Sequence, residues 1–325
     1  MKTPSRTLRF AILATAALVF CLREPLRAEE KPAPAAQEKK LTAEEQKLVE
    51  EARSARERGC ALFYHYEFPK AEEEFRRALD TFGRILGPEH PDTLRARGSL
   101  AGTMDMQGRS AEAEKELRAV LSIRQRVLGS EHNDTLINMS DLASALDSQG
   151  KSAEAEKEYR QLLAIEIRVC GPEHPVTLDN RNLLAASLQA QGKNAEAEAE
   201  LRAVQAIKER VLGPEDSQTL ANRNKLGSAL DSQGKHAEAE KEYRAVLAIR
   251  QRLFRAGDRN ILICYYKLAL CLEAQGKLTE ALFLITRAEE GFQKHNGPQH
   301  AESKGATQKR QRIEAEIMKQ QAGGK

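Results

Sequence analysis

The sequence predicts an all-α fold, an α-solenoid of about six helix hairpins with a C-terminal capping helix. Three observations predict it: a 42-residue repeat in unbroken register, a helical spacing of apolar residues within each repeat, and no segment with a strand period. The repeat announces itself in a loop. Leu86-Gly87-Pro88-Glu89-His90 returns as Leu128-Gly129-Ser130-Glu131-His132, Cys170-Gly171-Pro172-Glu173-His174 and Leu212-Gly213-Pro214-Glu215-Asp216. A worn copy spans Phe254 to Asp258, and another reads Asn296-Gly297-Pro298-Gln299-His300. Equal units without insertions imply one structural element copied and stacked, which offers an extended binding surface rather than a closed pocket.

The chain opens with Lys2, Arg6 and Arg9, then an apolar run from Phe10 to Leu22 and small Ala28. That layout reads as a secretory signal peptide over residues 1–28. The run is about 13 residues, short of the ~20 that span a bilayer as a helix. Of 51 basic and 48 acidic side chains, five and one fall in this segment, leaving 46 against 47. A balance so near neutral points to no nucleic-acid partner and no membrane insertion after leader cleavage. Residues 29–43, rich in Pro, Ala and charge, read as a flexible linker.

The third unit shows the local logic. Asn133-Asp134-Thr135 start a helix, and Leu136, Met139, Leu142, Ala143 and Leu146 form its stripe. Gly150 breaks it, and Ser152 is expected to cap a second helix carrying Ala155, Tyr159, Leu162, Leu163 and Ile165. Equivalent positions keep their character. The first helix repeats Leu100, Leu142, Leu184, Leu226 and Leu268, each followed by Ala or Gly. The second repeats Ala71, Ala113, Ala155, Ala197, Ala239 and Ala281, with a large residue four on. Large against small lets two helices interlock. Units fall at about 44–85, 86–127, 128–169, 170–211, 212–253 and 254–295, and residues 301–325 read as a polar capping helix with a frayed tail. Asp147 to Arg160 and Asp231 to Arg244 differ only at Ser152 against His236, as expected if a pair of units was duplicated.

These positions resemble the tetratricopeptide repeat. The eight extra residues per unit, in the loop Leu86 to Leu94, make it similar to the 42-residue repeats of kinesin light chains and their bacterial relatives. The resemblance spans about residues 44–300 and implies a right-handed superhelix in an exported bacterial protein. No Trp occurs, and Val120, Leu162, Val204 and Val246 stand where the family usually has Ala.

The resemblance also implies that one stripe of each first helix lines a concave groove. Here that stripe is Asp179, Asn182, Ala186 and Gln189, with Ile137, Ser140, Ser144 and Asp147 before it and Ala221, Asn224, Ser228 and Asp231 after it. Asn182 and Asn224 match asparagines with which kinesin light chains hold cargo peptides; Gly98, Ser140 and Tyr266 do not. Independently, Asp105, Asp147, Asp231 and Glu273 form an acidic ladder, with Gln189 at the missing rung. The ladder is either a site for a Lys- or Arg-bearing peptide or loop, or a solvated helix end. Ile263, Tyr266 and Leu270 make the last stripe apolar, as an anchoring pocket or as the seat of residues 301–319.

No nucleophile motif, phosphate loop or paired-Cys motif appears, so neither catalysis nor a cofactor is expected. His90, His132 and His174 would lie ~16–20 Å apart, at ~8–10 Å per helix contact, and cannot share one metal. His65, His236, His295 and His300 show no ligand spacing, so no metal site is expected either. Cys60, Cys170, Cys264 and Cys271 occupy four different repeat positions and read as small buried residues. The expected function is a non-catalytic, exported scaffold for a protein partner. A self-assembling structural array and a cytosolic adaptor are the alternatives, and the oligomeric state stays open.

Overall fold

A computed structural model describes residues 41–255 and 257–323. The signal peptide, most of the linker and the last two residues lie outside these, so the reading of residues 1–28 is not addressed by them. The described residues form thirteen helices and no strand, an all-α solenoid. None of these helices is long and apolar enough to cross a membrane.

The chain divides into two compact units at Gly192. In the first run α1 (Ala43–Tyr64), α2 (Phe68–Ile85), α3 (Pro91–Met106), α4 (Ser110–Val127), α5 (Asn133–Ser148), α6 (Ser152–Val169) and α7 (Pro175–Ala190). In the second run α8 (Asn194–Val211), α9 (Ser217–Ser232), α10 (His236–Leu253), α11 (Arg259–Ala274), α12 (Leu278–Asn296) and α13 (Ala301–Gly323). Within each unit every helix packs on the next, and first helices of successive hairpins also touch: α1 on α3, α3 on α5, α5 on α7, and α9 on α11.

The repeated apolar positions build the interior. Leu142, Leu184, Leu226 and Leu268 are buried, as is alanine at all six second-helix positions from Ala71 to Ala281. Interlocking is tight: a Cβ on Gly227 would lie 2.6 Å from the Tyr243 ring, and one on Gly59 2.7 Å from Phe75. Substituting either glycine would force an aromatic ring to move.

Two loops set the register. In the tag loop Gly87, Gly129, Gly171 and Gly213 take φ between 90° and 94°, a left-handed conformation that suits glycine. In the first three of these loops the threonine six residues on donates its hydroxyl to that glycine's carbonyl, as Thr93 does to Gly87 at 2.7 Å; Thr219 in the fourth does not. The tag histidines are helix caps. His90 and His132 accept on Nδ1 from the backbone N–H of Asp92 and Asp134, both at 3.1 Å, and Asp216 does the same work through its carboxylate. In the tight turn, Gly108, Gly150, Gly192, Gly234 and Gly276 are also left-handed, and Tyr66, at φ 61°, stands at their register position in the first hairpin.

Three local expectations shift. Lys151, not Ser152, is the cap residue of α6 and makes no side-chain cap bond; Ser152 opens the helix and is buried. Helix α1 begins at Ala43 under a capping box of Thr42 and Glu45, so order starts before the expected residue 44. Helix α13 runs through Gly323, past the point where fraying was expected. Cys264 and Cys271 are buried, while Cys60 and Cys170 are half-buried.

Candidate binding groove

The stripe on the first helices is less open than its small side chains imply. Ser140, Ser144, Asn182 and Asn224 are buried, as is Asp105. Small residues let successive first helices close on each other: Ser140 Oγ donates to Asn180 Oδ1 at 2.8 Å, across from α5 to α7. Asn182 and Asn224 each leave Oδ1 buried without a hydrogen-bond partner among the described residues. Asp147, Gln189, Ser228, Asp231, Tyr266 and Glu273 are half-buried and carry what this face offers to solvent.

The acidic ladder has different neighbours in the two units. In the first unit hydroxyls hold the carboxylates. Ser148 Oγ donates to Asp105 Oδ2 at 3.1 Å, and Ser187 Oγ to Asp147 Oδ1 at 3.0 Å. Ser152 also bonds Asp147. No basic side chain pairs with either acid among the described residues. Burial therefore dominates and pushes both carboxyls up to about 6, against the pull of their serines.

In the second unit the rungs have cationic or potentially cationic neighbours. His236 Nδ1 lies 3.0 Å from Asp231 Oδ1. Arg312 of α13 donates from Nε to Glu273 Oε1 at 2.7 Å. Lys267, absent from the sequence-based candidates, donates to Ser228 Oγ at 2.8 Å, and burial lowers its pKa. The apolar end of the stripe is also occupied in part. The Tyr266 ring meets Phe292 edge-on at 6.5 Å, and its hydroxyl approaches Gly305 of α13. The seat of α13 thus accounts for Tyr266 and Glu273.

A second polar ladder, unseen in the sequence reading, joins hairpin to hairpin. The fifth residue of successive second helices is Glu72, Glu114, Glu156, Glu198 and Glu240. Each accepts from the glutamine just before the next turn glycine, as Gln149 Nε2 to Glu114 at 2.7 Å and Gln275 Nε2 to Glu240 at 2.8 Å. A lysine just after that glycine adds a second bond, from Lys151 to Glu114 and from Lys277 to Glu240, both 2.7 Å. For Glu114 the Lys151 bond is the main cause of a carboxyl held down to about 2; for Glu240 burial opposes, but Lys277, Arg244 and Gln275 prevail and hold it at about 2 as well. The sequence signal was the recurring Gln-Gly-Lys of the turn. These glutamates fasten the stack and leave the stripe to other work.

The model of the tetratricopeptide repeat matches residues 51–123, 106–168, 176–252 and 224–294. The kinesin-light-chain-type, nearly identical TPR-like repeats of Podosopora anserina are 31% identical over 64% of this chain and 99% of theirs, with a TM-score of 0.58. BtubC from P. vanneervenii is 20% identical over 79% of this chain and 94% of its own, at a TM-score of 0.56. NprR, in complex with its cognate peptide NprX, is 16% identical over 84% of this chain and 76% of its own, at a TM-score of 0.56. No curated protein sequence matches the chain. The repeat register, the turn glycines and the matched family model together place this chain in the tetratricopeptide-repeat family, with kinesin-light-chain-like repeats.

Proposed function

We propose that the protein is a non-catalytic interaction scaffold that holds a basic peptide or loop of a partner protein against its first helices. One observation carries the reading: Asp105, buried, and Asp147, half-buried, stand in register on that face with hydroxyl partners and no cation. An uncompensated carboxylate lowers stability, and a ligand's ammonium or guanidinium would relieve that cost. Asn182, in the same unit, leaves one further acceptor, its buried Oδ1, without a hydrogen-bond partner among the described residues. NprR, of the same fold, offers a precedent in its complex with a cognate peptide.

The test is affinity capture from the native host envelope fraction, followed by titration of the captured partner's basic segment. Asp105→Asn with Asp147→Asn keeps the side-chain volume and should weaken that binding roughly tenfold, the loss of one charged hydrogen bond. Equal affinity for parent and double variant would end the charge reading. Export through residues 1–28 is part of the proposal, and N-terminal sequencing of the protein from its host checks it. A chain still beginning at Met1 would favour the cytosolic adaptor.

A further inference from the structure

Asp231, His236 and Cys271 converge although nothing in their spacing announces it. Asp231 ends α9, His236 opens α10, and Cys271 lies in α11. One ligand atom from each falls within 4.8 Å of the others. His236 Nδ1 is already 3.0 Å from Asp231 Oδ1. Tetrahedral zinc, with bonds of ~2.0–2.3 Å, spaces its ligand atoms by roughly 3.3–3.8 Å, so side-chain shifts of about 1 Å would close the set.

The two non-acidic members recur at neither of their positions in the other repeats. The equivalents of His236 are Ser110, Ser152, Asn194 and Leu278, and those of Cys271 are Thr103, Ala145, Ser187 and Ala229. Repeats with Ser at the first position and Ala or Ser at the second stack without this pair, so packing does not require it. Supporting groups are also in place. Gln275 Nε2 lies 3.6 Å from Cys271 Sγ, positioned to donate to a thiolate, and the Tyr243 hydroxyl reaches Asp231.

We propose that Asp231, His236 and Cys271 form a three-ligand site for a divalent transition metal of the zinc class. One carboxylate, one imidazole and one thiolate make a mixed donor set suited to that ion, with a fourth position left to water. The metal would tie the end of α9 to the start of α10 and the last turn of α11. The site stands independently of the charge preference proposed for the first unit.

Titration of the purified, reduced chain with Co(II), then Zn(II), tests it. One equivalent of cobalt should bind with a thiolate-to-cobalt charge-transfer band, and zinc should displace it. Cys271→Ala should abolish the band, and His236→Ser should weaken binding more than ~10-fold, at least the loss seen on removing supporting groups around a metal. Cys264→Ala should leave the band unchanged. Both site substitutions install a residue found at the equivalent position of another repeat. Where Cys271→Ala fails to fold, His236→Ser decides alone. No cobalt band, a band surviving Cys271→Ala, or unchanged affinity in folded His236→Ser would overturn the proposal.

Discussion

Asp147 with Ser152 and Ser187, and Asp231 with His236 and Cys271, occupy the same three register positions two repeats apart. In each, an acid at the end of a first helix faces the opening residue of the second helix and a residue of the next first helix. With two hydroxyls around it, the carboxylate is hydrogen-bonded but not neutralised, and burial holds it up to about 6. With imidazole and thiol around it, the same cradle presents three metal-ligating atoms. The backbone is common property of the repeats; the chemistry is set by side chains that the packing leaves free to vary. A repeat protein can thus place different sites along one architecture without disturbing its core.

Transplanting the cluster would break the comparison most sharply. Ser152→His with Ser187→Cys should give the first unit its own metal site, raising cobalt stoichiometry from one equivalent to two. An unchanged stoichiometry would mean that the cradle alone does not make the site.

Next in size come the glutamate clamps, which the two units share. Glu114→Gln and Glu240→Gln should each cost about 2 kcal/mol, the scale of a charge-assisted hydrogen bond lost from a partly buried site. Both carboxyls are depressed from about 4.5 to about 2. Their contribution is present above pH 4.5 and is lost as the pH falls toward 2. Thermal melts from pH 7 to pH 3 should show the parent losing stability over that window and each variant losing less.

Asp147→Asn should act in the opposite sense. The folded carboxyl titrates near 6 against an ordinary 3.8. Its charged form is therefore penalised, and stability falls as the pH rises from about 4 to about 6. The amide should raise stability at pH 7 by on the order of 1 kcal/mol, discounted for partial exposure, and by nothing at pH 4. Denaturant unfolding at the two pH values measures the difference.

The smallest effect concerns a turn. Tyr66 holds the left-handed conformation that glycine holds in the later turns. Tyr66→Gly should relieve about 1 kcal/mol of backbone strain, less what the ring loses against Phe68. Chemical denaturation should show a modest gain.

Much of the fold was legible because its causes are local. The stripe Leu142, Ala143 and Leu146, the break at Gly150 and the pair Ala155 and Tyr159 need only helical geometry and glycine's access to positive φ. The site was less legible. Ser152 was expected to cap a helix and instead faces Asp147, because Lys151 takes the cap position. The tag histidines cap helices through an imidazole nitrogen, a role that needs the backbone N–H of Asp92 or Asp134 close by. Glu273 reads as a solvent-facing rung until Arg312 of α13 arrives beside it.

By itself the sequence determined the hairpin, its length, its stacking stripes and the family, since each rests on periodicity within a single repeat. Only the tertiary structure decided which acids stand alone, which are clamped, and that Asp231, His236 and Cys271 meet. Those outcomes depend on contacts between residues up to about 40 positions apart, made when one hairpin packs on the next, and no local pattern records the angle at which it does so.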